Sequence, residues 1–80
     1  MRILNQDNDS KIDEVTLYLT NTEAEDLRDS LNGLLISTSP WNHRHVSTPD
    51  HAKTITLCIY SPDELDGFNE RSKRLITDDI

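Results

Sequence analysis

The feature that most constrains the fold is the alternation of side chains in residues 53–60, KTITLCIY. Aliphatic residues alternate there with polar or small ones, and the aliphatic set is Ile55, Leu57 and Ile59. A period of two predicts a β-strand with one buried face and one accessible face. A shorter strand is predicted at residues 43–47. The aliphatic face then needs a second layer of secondary structure to cover it.

A second alternating segment lies nearer the N-terminus. Val15, Leu17 and Leu19 alternate with threonine and tyrosine, which again predicts a half-buried strand. Residues 2–4 form a short apolar start, and residues 5–11, NQDNDSK, are all turn-forming or charged. We therefore predict a β-hairpin in which residues 5–11 are the connecting loop.

An apolar stripe at helical spacing predicts the first helix. The stripe consists of Ala24, Leu27, Leu31, Leu34 and Leu35. Thr20 and Thr22 each precede a glutamate by three residues, so either threonine could close a capping box at the start of the helix. The helix is predicted to end near residues 35–36.

The second helix is predicted to begin within residues 61–64, SPDE. Ser61 can cap the helix, Pro62 suits its first position, and Glu64 can reach back to the cap. The residues predicted to face inward are Leu65, Phe68, Ser72 and Leu75 or Ile76.

The predicted order of elements is ββαββα. Elements with one apolar face or stripe bury it by packing helices on one side of a sheet. We therefore predict an α+β fold, a two-layer sandwich with a mainly antiparallel four-stranded sheet and both helices on one face. Residues 1–80 are predicted to form a single domain, with a thin core because hydrophobic residues make up only 34% of the chain.

The charge of the chain restricts its partners. The formal net charge is −7, which disfavours direct binding to nucleic-acid phosphates and to anionic membranes. No apolar run approaches the roughly 18 residues of a membrane-spanning helix, and the first ten residues lack the apolar stretch of a signal peptide. The single cysteine excludes an intrachain disulfide and fits a reducing environment, so a cytoplasmic location is expected.

Acidic residues crowd the first predicted helix. Arg28 is the only basic residue among four acidic ones, Glu23, Glu25, Asp26 and Asp29. Acidic side chains in the first turn of a helix interact favourably with the helix dipole. Asp29 lies further along the helix and follows Glu25 by four residues, and like charges at that spacing cost a few tenths of a kcal/mol of helix stability. This cost favours a role for Glu25, Asp26 and Asp29 in contacting a partner, and a solvated helix face is the alternative.

Three histidines raise the question of a metal site. His43, His45 and His51 lie close together in the sequence, and the first two point the same way if they lie on a strand. Zinc usually takes three or four protein ligands, and none of its established spacings is present. We interpret the histidines as part of an exposed strand, with no metal and no cofactor.

Catalysis is not expected from this sequence. Cys58 lies within a strand, where a thiol behaves as a small hydrophobe with a normal or raised pKa. The chain has two glycines, too few for a phosphate-binding loop. No carboxylate has the apolar setting that acid catalysis requires. We therefore predict a protein that is not an enzyme.

The remaining candidates are aromatic side chains. Trp41, the only tryptophan, either anchors an interface or plugs the edge of the core. The accessible face of the predicted sheet would carry Thr16, Tyr18, Thr56, Cys58 and Tyr60, joined by His43 and His45 if Val46 points inward. The predicted protein-binding residues are thus Glu25, Asp26, Asp29, Trp41, His43, His45 and Tyr60.

Four stretches of the chain resemble small bacterial immunity proteins of polymorphic toxin systems, in particular the group called immunity protein 32. They are VTLYLTNTEAEDLRDSL at residues 15–31, HRHV at 43–46, KTITLCIY at 53–60 and DGFNERSKRLI at 66–76. The resemblance covers about half the chain and includes no catalytic motif. It implies a cytoplasmic, non-catalytic antidote that binds a cognate toxin, and an acidic antidote would suit a basic toxin.

Two other functions remain open. One is a regulatory or assembly module that acts as a homodimer, since a thin core and short edge strands favour pairing. The other is a small metal-binding protein that uses His43, His45 and His51.

Overall fold

The computed structural model describes residues 1–37 and 42–80. The elements in chain order are β1 (Ile3–Asn5), β2 (Ser10–Ile12), α1 (Asn21–Ile36), β3 (His43–Ser47), β4 (Thr54–Cys58) and α2 (Glu70–Asp78). The predicted α+β class is confirmed. Neither of these helices is long and apolar enough to cross a membrane.

The prediction of one four-stranded sheet is wrong. The described strands form two separate antiparallel pairs, β1 with β2 and β3 with β4. The cause lies in the first hairpin, in which Leu4 pairs with Lys11 and Asn5 with Ser10. The polar segment predicted to be only a loop therefore supplies strand residues itself.

The turn of the first hairpin is built from short polar side chains. Asn5 Oδ1 accepts a hydrogen bond from the backbone N–H of Asp7 at 3.0 Å, and Asn8 Oδ1 accepts one from that of Ser10 at 3.2 Å. Asp9 takes a left-handed conformation with φ of 57°. These bonds form a tight turn over residues 6–9. Strand pairing therefore begins directly after the turn, at Asn5 and Ser10, and ends at Ile3 and Ile12.

The alternating residues 15–19 consequently do not form a strand. Val15 is 51% exposed and Tyr18 is 93% exposed, so the predicted half-buried face does not exist here. Thr16 and Tyr18 therefore share no sheet face with Thr56 and Cys58, and that part of the prediction is wrong as well.

The chain divides into two compact units. One unit comprises Met1–Leu17 with Pro62–Ile80, and the other comprises Tyr18–Ser61. A single domain over residues 1–80 stays a prediction.

In the first unit, two arginines join the β1–β2 hairpin to α2. Arg2 Nε donates to the carbonyl oxygens of Leu75 and Ile76 at 3.0 and 3.2 Å. Arg71 donates from Nη2 and Nε to the carbonyl oxygen of Asp9 at 2.9 and 3.2 Å. Leu75 lies on α2, and it is the apolar residue that is buried in this unit.

The second helix begins eight residues later than predicted, with Asn69 as the cap in place of Ser61. Residues 62–63 and 66–67 are turns, and Phe68 N–H donates to the Leu65 carbonyl at 3.0 Å. Gly67 explains this, because glycine inside a helix costs about 1 kcal/mol relative to alanine. Asn69 then caps α2 by accepting from the Ser72 N–H at 2.8 Å.

In the second unit, α1 packs on the β3–β4 hairpin. The capping box of Thr20 and Glu23 is confirmed: Glu23 N–H donates to Thr20 Oγ1 at 3.2 Å, and Thr20 N–H donates to Glu23 Oε1 at 2.9 Å. Leu34 of α1 and Val46 of β3 are buried. The predicted alternation is confirmed within β4, where Ile55 and Leu57 are partly buried and Thr54, Thr56 and Cys58 are exposed. Its continuation to Ile59 is wrong, because the strand ends at Cys58 and Ile59 is 42% exposed.

Candidate functional site

The side of α1 that carries Asp26, Asp29 and Ser30 borders β3. These three residues line a shallow depression of about 340 Å³ together with Arg44, His45, Val46 and Ser47. All of its lining residues belong to the second unit. The helix contributes two carboxylates and the strand contributes a guanidinium and an imidazole.

The helix geometry explains why these acids meet the strand. Asp26, Asp29 and Ser30 are three and four residues apart, so they share one face of α1. Asp29 is exposed, and its Oδ1 accepts from Arg28 Nε at 3.0 Å. Asp26 is exposed too. Glu25 lies on α1 but does not line the depression, so the predicted acidic set is brought together only in part.

The strand side of the site follows from the register of β3 and β4. His43 pairs with Cys58, His45 with Thr56, and Val46 with Ile55. Because Val46 is buried, the residues on either side of it face outward. His43 and His45 therefore lie on the accessible face with Thr56 and Cys58, as predicted.

Hydrogen bonds order this accessible face. His45 Nδ1 lies 2.8 Å from Thr56 Oγ1, and Ser47 Oγ lies 3.0 Å from Thr54 Oγ1. The rings of His43 and His45 meet edge to face, with centroids 5.0 Å apart and an interplanar angle of 76°.

Two other predicted residues have different places. Tyr60 is partly buried and lies beyond the end of β4. Trp41 falls outside the described residues. Contact of either with a partner stays a prediction.

Four lining residues were not predicted from the sequence: Ser30, Arg44, Val46 and Ser47. Ser30 could have been found, because it follows Asp26 by four residues on a helix. Arg44 shares its strand face with Val46, so the same alternation that buries Val46 directs Arg44 toward α1.

The resolved pKa shifts belong to residues outside the depression. Burial raises the pKa of the Cys58 thiol above its usual value, so the thiol keeps its proton. Hydrogen bonds from the Thr48 hydroxyl and the Ala52 N–H lower the pKa of Asp50. Neither residue has the environment of a nucleophile or of a general acid.

No three His, Cys, Asp or Glu side chains in residues 1–37 and 42–80 come together as ligands for one metal ion. His51 lies in the β3–β4 turn with φ of 58°, and its N–H donates to the Thr48 carbonyl at 2.8 Å. Of the three histidines that the sequence places near one another, His43 and His45 lie on β3 and His51 lies in the turn that follows it.

A second depression, of about 660 Å³, lies in the first unit. It is lined by Asp9, Glu70, Arg71, Lys73, Arg74, Thr77 and Asp78. Two of its cations already have partners, because Arg71 contacts Asp9 Oδ1 at 3.2 Å and Lys73 contacts Glu70 Oε1 at 3.6 Å. The Arg71–Asp9 pair joins α2 to the β1–β2 hairpin, whereas the Lys73–Glu70 pair lies within α2.

Comparison of the chain with protein-family models, with curated proteins and with solved structures found no significant match.

Proposed function

We propose that this protein is a non-catalytic binding module, an antidote that binds and occludes a basic bacterial toxin. The observation that carries the proposal is the depression between α1 and β3, where Asp26 and Asp29 face the strand that presents His45. A lysine or arginine of the partner would enter between the carboxylates and the imidazole. The resemblance of residues 15–31 and 53–60 to immunity proteins supports the same function.

The electrostatics favour association with a basic surface. A net charge of −7 on 80 residues accelerates the encounter with a cationic partner, and the exposed carboxylates give the complex its register. Toxins that act on nucleic acids need a basic surface to bind phosphate. Covering that surface inhibits such a toxin without any reaction.

The same residues are poorly suited to catalysis. A carboxyl group that acts as a general acid near neutral pH commonly lies in an apolar setting. Asp26 and Asp29 are exposed, and Arg28 already contacts Asp29. We therefore propose binding rather than turnover as the role of this surface.

The direct test uses the protein that the neighbouring reading frame encodes. It would be expressed from an inducible promoter with and without this chain, and growth would be measured. Restored growth and a purified 1:1 complex support the antidote function. A toxic product that this chain neither binds nor neutralises would contradict it.

The contribution of the depression is tested by charge-matched variants. Asp26→Asn with Asp29→Asn is expected to weaken toxin binding at least tenfold and to flatten its salt dependence. Asp63→Asn with Asp66→Asn removes the same charge from exposed positions of the other unit, and is expected to change affinity less than twofold. If the two double variants weakened toxin binding equally, net charge alone would explain the loss of affinity, and the depression would have no specific role.

A second candidate function is a homodimeric regulatory or assembly module. It is favoured by the exposed aliphatic residues at the end of α1, where Leu35 is 71% and Ile36 is 84% exposed. Light scattering separates the two candidates. A species of 9.2 kDa at every concentration excludes the dimer.

A further inference from the structure

One edge of β3 is hydrogen-bonded to β4, and the other edge is open. Within residues 1–37 and 42–80, the second sheet consists of β3 and β4 alone, so no described strand pairs with the side of β3 that points away from β4. An unpaired strand edge presents a row of backbone N–H and C=O groups that can template another strand. The proposal for toxin binding uses side chains and leaves this edge unexplained.

The ladder between the two strands shows which backbone groups point outward. Thr48 N–H donates to the Lys53 carbonyl at 3.0 Å, so Thr48 directs its backbone groups toward the partner strand. Hydrogen-bonded and non-hydrogen-bonded pairs alternate along an antiparallel ladder, so every second residue of β3, counted from Thr48, faces β4. The residues whose N–H and C=O groups point away from β4 are therefore His43, His45 and Ser47.

The depression beside α1 runs along this open edge. Its strand side is lined by four consecutive residues, Arg44 to Ser47. Consecutive residues of a strand project their side chains to opposite faces, so a lining that includes all four is a strand edge rather than one face. No described residue of β4 lines the depression, so the edge is the one that points away from β4. The other wall belongs to α1 and consists of Asp26, Asp29 and Ser30.

The helical wall determines which kind of segment suits this groove. Asp26 and Asp29 are both exposed and negatively charged. Arg44 carries a positive charge, but its guanidinium lies against Gly33, four residues beyond Asp29 on α1. Side chains of a strand repeat on one face at every second residue, so lysine or arginine at alternate positions of a bound strand would reach the carboxylates. Charge complementarity therefore favours a basic segment.

We infer that the open edge of β3 binds an extended basic segment of the toxin, which adds to the β3–β4 hairpin as a further strand. This inference rests on the proposed function and adds the mode of binding. In strand addition, main-chain hydrogen bonds give affinity and the side chains around the edge give specificity. Here His43, His45 and Ser47 supply the main-chain groups, and Asp26 and Asp29 select lysine or arginine.

The first test is amide hydrogen exchange of the whole chain, free and in complex with the toxin that the neighbouring reading frame encodes. The outward N–H groups of His43, His45 and Ser47 are expected to exchange at least tenfold more slowly in the complex. Those of Thr54 and Thr56 point outward on the other edge of the hairpin, and are expected to change less than twofold. A toxin that is bound and neutralised without protection of the β3 edge overturns the inference and leaves the antidote function standing.

A synthetic peptide tests the edge without the toxin. The probe is a hexapeptide of alternating lysine and threonine that is blocked at both ends, and the control is the same peptide with methylated backbone nitrogens. Methylation keeps the charge and removes the backbone donors, so it is expected to weaken binding at least tenfold. Glutamate in place of lysine is expected to weaken binding as much. Equal binding of the methylated peptide, or no binding of the lysine peptide at millimolar concentration, overturns the inference even if the toxin is neutralised.

Two proline variants distinguish the edges of the hairpin. His45→Pro removes an outward N–H of β3, and Thr56→Pro removes the outward N–H of its cross-strand neighbour on β4. Proline is tolerated on edge strands where the replaced N–H faces solvent, and both variants lose the same hydrogen bond between the His45 and Thr56 side chains.

His45→Pro is expected to weaken toxin binding at least tenfold, and Thr56→Pro less than twofold. Circular dichroism checks that both variants fold, and if either does not, the exchange measurement on the unaltered chain decides. Equal weakening by both variants would assign the loss to the shared side-chain bond, and would overturn the inference.

Discussion

Arg44 of β3 lies directly against Gly33 of α1. A Cβ placed on Gly33 would lie 3.1 Å from Arg44 Nη2 and 3.4 Å from Arg44 Cζ. The guanidinium therefore occupies the space that a side chain at position 33 would fill. This close approach brings the cation of β3 onto the helix, where Arg44 lines the same depression as Asp26 and Asp29.

Gly33→Ala is expected to stabilise the chain by about 0.5–1 kcal/mol. Alanine has the higher helix propensity by that amount, Gly33 does not have a positive φ, and the group it would meet is the mobile end of an exposed side chain. Urea denaturation measures the change. A loss of stability in Gly33→Ala that disappears in Gly33→Ala with Arg44→Ala would instead show that the guanidinium cannot move.

Removing the cap of α1 is expected to cost about 1 kcal/mol. Thr20→Ala deletes the hydroxyl that accepts the Glu23 N–H, and leaves that donor without its partner at the helix start. Thr22→Ala is the matched control, because Thr22 also precedes a glutamate by three residues but does not form the capping box. Thermal and urea unfolding of both variants should separate them. Equal destabilisation would contradict the assignment of Thr20 as the cap.

The elements predicted correctly are those whose local signals agree. Around α1, the apolar stripe predicted a helix that ends near residues 35–36, and Thr20 was one of the two predicted caps; the helix runs from Asn21 to Ile36 with Thr20 as its cap. In β4, the alternation alone was sufficient, because α1 covers the side that carries Ile55 and Leu57. The outward direction of His43 and His45 followed from the same period of two.

The elements predicted wrongly are those in which short polar residues compete with the apolar pattern. Asn5 and Asn8 close a tight turn, so β2 forms from Ser10–Ile12 and the alternating residues 15–19 remain unpaired. At the second helix, the signal at Ser61 and Pro62 fails because Gly67 interrupts it and Asn69 offers a later cap. The arrangement of charges around Arg44 could not be predicted, since it depends on how closely β3 approaches Gly33.

Leu34→Ala is expected to destabilise the second unit by about 2–3 kcal/mol, the lower part of the range for buried leucines. Leu34 is 4% exposed, and its neighbour Leu35 is 71% exposed. Leu35→Ala is therefore the matched control, with a change of less than about 0.5 kcal/mol expected. Urea midpoints of the two variants test the placement of α1 on the β3–β4 hairpin, and reversed effects would mean that the helix is rotated.

The turn between β3 and β4 is expected to weaken in acid. The Thr48 hydroxyl donates to Asp50 Oδ1 at 2.6 Å and the Ala52 N–H donates to the same oxygen at 3.0 Å, so the pKa of Asp50 lies below the ordinary value of 3.8. A carboxyl group whose pKa is lowered by folding stabilises the fold fully at pH values above 3.8, and this contribution disappears as the pH falls through the lower folded value. Thr48→Val removes the main donor and is expected to raise the pKa of Asp50 toward 3.8, whereas Thr48→Ser retains the hydroxyl and should keep the pKa low. Carbon-13 NMR titration of the carboxyl group measures all three chains, and an Asp50 pKa that is the same in Thr48→Val and Thr48→Ser would refute the role of the hydroxyl.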